Sequence, residues 1–138
     1  MKQKVLFILT MGIMIASTME AQTVAKRGLV YEIYSDGTAC LLGTNTKVIG
    51  ERTVDAEIRS GSKSYRVVSV RPRALAGQSY LTKLTIDADL DSIGIGAFRD
   101  CTMMSTLVLN GSVKHLGSYA FANTAIKSIA LSAWKPET

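Results

Sequence analysis

Aliphatic residues recur along the second half of this chain at an interval that is neither helical nor simply alternating. Ala97-Phe98 has a counterpart twenty-three residues earlier in Ala74-Leu75 and another twenty-three later in Ala120-Phe121. The same shift carries Ile93 onto Val70 and Leu116, and Leu90 onto Val67 and Val113. It carries Met104, Leu107 and Leu109 back onto Leu81, Leu84 and Ile86. In the last unit one residue is missing after Phe121, and the set returns as Ile126, Ile129 and Leu131. Self-similarity at a fixed period marks an architecture in which one unit cannot bury its hydrophobic face alone and needs its neighbours to do so.

Each unit holds a form of L-x-x-L-x-L: Leu81-Thr-Lys-Leu84-Thr-Ile86, Met104-Ser-Thr-Leu107-Val-Leu109 and Ile126-Lys-Ser-Ile129-Ala-Leu131. The L-x-L part alternates with period two and predicts a short strand with one face buried. A period of 20–29 residues around L-x-x-L-x-L is the leucine-rich-repeat signature. The expected fold is therefore a β-rich leucine-rich-repeat solenoid, with short parallel strands joined by turns or short helical segments. Gly94, Gly96 and Gly117 fall where a tight turn leaves no room for side chains, and Ala-Phe suits a short helical turn that fills the layer. Leu84, Leu107 and Ile129 should then form one ladder.

Upstream the pattern changes. Leu29 to Tyr34 and Ala39 to Leu42 flank Asp36-Gly37, and Asp-Gly between apolar runs is a strong hairpin signal. A second pair is expected between Val54–Ile58 and Tyr65–Val70, across Ser60-Gly61-Ser62-Lys63. Residues 22–66 read as an N-terminal β-hairpin cap, and residues 67–138 as three repeats of about 23 residues continuous with it.

At this point the chain resembles a known family. Leu90-Asp-Ser-Ile93-Gly94-Ile-Gly-Ala97-Phe98-Arg-Asp-Cys101 through Leu109 is similar to the BspA-like class of leucine-rich repeats, found in secreted and surface proteins of bacteria. Gly28-Leu-Val-Tyr31-Glu-Ile, with Asp36-Gly37-Thr38-Ala39, resembles the hairpin that precedes repeats in that family. The resemblance covers residues 28–134 and implies export and a binding or adhesive role, with no catalytic site to transfer. Two departures stand out. Asp87, Asn110 and Ser132 occupy positions where the family often has proline. Asp89 and Ser112 replace the asparagine of the general repeat.

Composition alters this picture at the start of the chain. Lys2 and Lys4, an apolar run from Val5 to Ile15 and small residues ending at Ala21 have the form of a secretory signal peptide over residues 1–21. The rival is an uncleaved anchor, although the run falls short of the ~20 apolar residues that span a bilayer. Cleavage after Ala21 would leave 14 basic and 10 acidic residues, lowering the net charge from +5 to +4. The basic residues are scattered, which argues against nucleic acid, and no membrane insertion of the mature chain is expected. The location expected is outside the cytoplasm: secreted, at the cell surface or periplasmic. Cys40 and Cys101 would meet an oxidising compartment. Two buried thiols are favoured, with a disulfide as the alternative.

Candidate chemistry is sparse. His115 is the only histidine, and no motif supplies it with a nucleophile or an orienting partner. Asp87-Ala-Asp89-Leu-Asp91 begins like a calcium loop, but Ser92 stands where its glycine should be and Phe98 where its glutamate should be. No catalytic residue, metal ligand or cofactor is assigned. Stacked strands would place Lys83, Thr85 and Asp87, then Thr106, Val108 and Asn110, then Ser128, Ala130 and Ser132 on one outward face, the usual recognition surface of a solenoid. The expected function is a protein-binding or adhesion module acting through that face on a host, matrix or neighbouring-cell protein. The alternative is a structural or self-associating scaffold joined through its C-terminal edge.

Overall fold

Strands form wherever the repeat presents alternating or β-branched residues, and eleven of them are present among residues 22–131, which a computed structural model of the chain describes. The expected signal peptide, Ser132 and the remaining C-terminal residues lie outside the described residues. In chain order the strands are β1 (Gln22–Lys26), β2 (Leu29–Ile33), β3 (Thr38–Thr44), β4 (Ile49–Val54), β5 (Glu57–Ser60) and β6 (Lys63–Val70). There follow β7 (Tyr80–Ile86), β8 (Leu90–Ile93), β9 (Thr106–Leu109), β10 (Val113–Leu116) and β11 (Ser128–Leu131). One sheet runs β1-β2-β3-β6-β8-β10, with β5 on the free length of β6; the other runs β4-β7-β9-β11.

The 23-residue pitch is the register of the parallel pairs. Leu84 faces Leu107, and Leu107 faces Ile129, so the expected ladder exists. A second ladder runs Val70–Ile93–Leu116 in the opposite sheet, because each coil contributes two strands. Between the sheets lie Leu75, Leu81, Leu84, Ile86, Leu90, Ile93, Phe98, Met104 and Leu107, all at 2% exposure or less. Each such side chain contributes roughly 1.5–3 kcal/mol by leaving water. Phe98 and Phe121 stack with ring centroids 5.2 Å apart.

The long corner at Ala-Phe is built from consecutive turns, and its hydrogen bonds explain why no helix propagates. The amides of Gly96, Phe98 and Asp100 donate to the carbonyls of Ser118, Ala120 and Ala122 in the next coil, at 3.0, 2.8 and 2.9 Å. The intervening amides of Ala97, Arg99 and Cys101 donate three residues back, to Gly94, Gly96 and Phe98. Half the corner's donors thus serve the turn and half serve the stack, which satisfies a buried backbone without helical hydrogen bonding.

Glycine is required here by proximity. A β-carbon on Gly94 would lie 2.6 Å from Pro72 Cα, and one on Gly117 would lie 2.5 Å from Ile95 N in the preceding coil. Gly96 is different: it adopts φ +62° with no such obstruction. Arg73 and Tyr119, one pitch away on either side, adopt φ +58° and +59° despite their side chains.

The N-terminal strands join the sheets of the repeats. The β2–β3 hairpin forms as expected, with Gly37 at φ +83° and Asp36 Oδ1 accepting from Thr38 N and Oγ1 at 3.0 and 2.6 Å. An antiparallel strand, β1, precedes it across Arg27-Gly28, both at positive φ. That geometry makes a primed turn. However, β3 pairs in parallel with β6, and β4 in parallel with β7. Val54, expected in the second hairpin, instead belongs to β4, and that hairpin forms from β5 and the start of β6. Residues 38–54 therefore make an upstream coil, from which the β5–β6 hairpin emerges as an insertion.

At the other end the last coil has no described neighbour on its far side. Leu116, Ile129 and Leu131 are 61%, 55% and 49% exposed, although one pitch earlier Ile93 and Leu107 are buried and Leu109 is half-buried.

The close approach at the corner makes a direct test. Gly94→Ala should lower stability by about 3 kcal/mol, as overpacking against rigid backbone does, and thermal unfolding should shift down by ~10 °C or more. Gly96→Ala, strained but unobstructed, should cost about 1 kcal/mol. Equal melting temperatures for the two variants would contradict stacking by backbone contact.

Candidate functional site

From Lys83 onwards the side chains of β7 alternate between core and solvent, because Thr82 is bulged out between the pairs Gly50–Leu81 and Glu51–Lys83. Lys83, Thr106 and Ser128 form one outward row through the registers of β7, β9 and β11. Thr85, Val108 and Ala130 form the next. Asp87 and Asn110 continue the pattern beyond the strand ends, where Asn110 Nδ2 donates to Asp87 Oδ1 at 2.7 Å. The eight described residues singled out from the sequence therefore come together on one face. Ser132 lies outside the described residues.

That face has a fourth strand that sequence reasoning missed. Through β4, Glu51 extends the Lys83 row and Thr53 extends the Thr85 row. Val54 sits 32 residues before its partner Ile86 instead of 23, because the β5–β6 hairpin intervenes, and Arg52 occupies the place of a ladder leucine. Arg52 is accommodated at the edge by bonding carbonyls: Nε to Arg27 at 2.9 Å, and Nη1 to Ile49 and Glu51 at 3.0 and 2.7 Å. The signal that could have found β4 is the terminal Thr-x-Asp of Thr53-Val-Asp55, repeated at Thr85-Ile-Asp87.

The face has two different borders. Where its strands begin, Ile49 and Tyr80 are register partners, and Met103 follows Tyr80 by one pitch; all three are exposed. Lys47 Nζ lies 3.9 Å from the Tyr80 ring centroid. Where the strands end, Lys26, Arg27, Thr53, Asp55 and Asp87 line an open cleft of about 260 Å³, spanned by a Lys26–Asp55 ion pair at 2.9 Å.

The acid series Asp87-Ala-Asp89-Leu-Asp91 is explained by the stack. Each carboxylate meets the residue one pitch later: Asp87 accepts from Asn110, Asp89 accepts from Ser112 N at 2.9 Å and Oγ at 3.2 Å, and Asp91 faces Lys114 at 3.8 Å. Asp100 repeats the arrangement, accepting from Asn123 Nδ2 at 2.9 Å. Polar rungs thus do the work that an asparagine ladder does elsewhere. Among the described residues there is no group of three or more His, Cys, Asp or Glu placed to hold a metal ion. His115 is exposed beside Ser92 in the other sheet.

Cys40 and Cys101 are both buried and free, as favoured above. Cys101 Sγ donates to Leu75 O at 3.2 Å, and burial, with the nearby Asp100 charge adding to it, pushes its thiol up to about 11. Tyr34 is pushed up to about 12, first by burial and then by its hydrogen bond to Glu32 at 2.9 Å. Glu32 is itself buried and paired with Arg71 at 2.8 Å, tying the β2–β3 hairpin to the first long corner. No helix among the described residues is long and apolar enough to cross a membrane.

The family model for the BspA type leucine-rich repeat region matches residues 58–135, in six copies. Two solved structures share the fold. A leucine-rich cell surface protein from Faecalibacterium prausnitzii aligns with a TM-score of 0.63 and 22% identity, over 81% of this chain and 32% of its own. A leucine-rich repeat protein from Bacteroides capillosus aligns with a TM-score of 0.51 and 17% identity, over 80% of this chain and 98% of its own. The chain thus spans about a third of the first relative. No curated protein matches it.

The raised thiol yields a pH dependence of known sign. The folded state keeps the Cys101 proton up to about pH 11, whereas the unfolded chain releases it near the ordinary thiol value of 9.0. Its contribution is therefore complete below pH 9 and lost as pH rises towards 11. Denaturant titrations across that window should show stability falling with pH, and a shallower slope in Cys101→Ala. An unchanged slope would place the proton elsewhere.

Proposed function

The chain belongs to the BspA-type leucine-rich-repeat family, and from that premise we propose that it is an exported, cell-surface recognition module that engages a protein partner through the β4-β7-β9-β11 face. The observation that carries this reading is the face itself. Four strands offer a level field of lysine, threonine and small side chains, bordered by exposed Ile49, Tyr80 and Met103. Tyrosine and methionine are enriched at protein interfaces, and acids and lysines around them form the usual polar rim. Export is supported by the form of residues 1–21 and by the cell-surface description of the Faecalibacterium relative.

A second reading rests on the last coil. Leu116, Ile129 and Leu131 are exposed beside strand edges that no described strand pairs, a surface suited to association between copies. Sedimentation of residues 22–138 decides it: a concentration-dependent dimer supports self-association, and a strictly monomeric species removes it.

The primary reading is tested on cultured cells. Labelled protein should bind the cell surface, and protease treatment of the cells should abolish binding. Thr85→Arg, Val108→Arg and Ala130→Arg combined, with Tyr80→Ala as a separate variant, should each cut binding roughly tenfold or more while leaving the melting temperature within a few degrees. Unaltered binding by both variants would remove the face from the mechanism.

A further inference from the structure

The long corner holds two left-handed columns, Gly77–Asp100–Asn123 and a second one beside it, and neither the strand face nor the stack uses the side chains of the second. Its three positions are Arg73, Gly96 and Tyr119, one per coil, at φ +58°, +62° and +59°. Glycine suits that conformation, yet two of the three positions hold large side chains. Because the middle position is glycine, the stems beside it converge: a β-carbon built there would lie 3.6 Å from Arg73 Cγ and 3.9 Å from Arg99 Cδ. Arg99 Cζ sits 5.8 Å from the centroid of the Tyr119 ring, which is 69% exposed.

The charges at this corner are poorly compensated. Among the described residues the Arg73 guanidinium has no hydrogen-bond or ion-pair partner. Arg99 Nε approaches Asp100 Oδ2 only to 3.8 Å, with both side chains about half exposed, and Asp100 Oδ1 is already engaged by Asn123. So open an ion pair contributes little. Arg71, on the same corner, is committed to buried Glu32. The stems of two arginines therefore flank a glycine gap, and one of the two, Arg99, lies beside an exposed aromatic ring.

We propose that this corner binds a sulfated polysaccharide, with one sulfate ester held between Arg73 and Arg99 and the attached sugar ring resting on Tyr119. Guanidinium groups present planar N–H forks that match a tetrahedral oxyanion, and a bridging anion relieves the repulsion between the two cations. An exposed tyrosine offers an apolar face to the C–H side of a sugar and a hydroxyl to its rim. A nucleic-acid strand fits less well, because its binding surfaces combine a continuous basic groove with several stacking rings, and here there are two cations and one ring. The site is separate from the strand face, so the two readings stand or fall independently.

The test is binding of the full chain to a heparin-derived octasaccharide at physiological ionic strength. Arg73→Gly is the informative variant, since glycine fits the left-handed backbone and the fold should keep or raise its melting temperature. Arg73→Gly, Arg99→Gln and Tyr119→Ala should each weaken binding roughly tenfold. Arg59→Gln, the same charge change on β5 at the far end of β6, should leave it within about twofold. Absence of binding by the native protein, equal losses for Arg59→Gln, or equal affinity for the desulfated octasaccharide or for oligothymidylate would each overturn the proposal.

Discussion

Stacking of one coil on the next is the constraint from which the rest of this molecule follows. A single coil is too thin to enclose its own aliphatic side chains, so Leu84, Leu107 and Ile129 depend on one another for burial. Contact at strand spacing brings backbone against backbone at the corners. Residues at those contacts must then be glycine, as Gly94 and Gly117 are, and the corner amides must divide between closing a turn and joining the next coil. The same contact pairs Asp87, Asp89, Asp91 and Asp100 each with a polar residue one pitch away.

That pairing narrows where function can reside. The acids of the tight corner look available for a cation in the linear sequence, but the stack uses them as rungs between coils. Both thiols are enclosed, and the Cys101 proton is held by burial. What remains free is outward-facing: the four-strand face with its apolar border, the final layer, and the arginine corner. These are the surfaces on which the proposed recognition rests.

The first and last described coils differ in how their edges are met. At the N-terminal end a twisted antiparallel hairpin and Arg52, folded back onto edge carbonyls, close the open strands. At the other end the ladder positions are identical in kind to those inside, yet exposed. A residue's role in such a protein depends on its place in the array as much as on its type. Leu107 is core and Leu131 is surface, although both occupy the same alternating motif.

The linear order of residues determined the pitch, the two-residue alternation of the L-x-L strands, the Asp36-Gly37 turn and the outward rows from Lys83 to Ala130. These depend on local pattern and on a period that repeats without interruption. Tertiary structure alone decided that β3 and β4 belong to the same two sheets as the repeats. The β5–β6 hairpin breaks the period there, and Arg52 hides the missing leucine by bonding backbone at an edge. It also decided the turn at Arg27-Gly28 and the left-handed backbone at Arg73 and Tyr119, where side chains that disfavour the geometry accept it because the neighbouring coil fixes the chain on both sides. Periodicity is written in the sequence. Which residues end up side by side across an interruption is settled only when the sheets close.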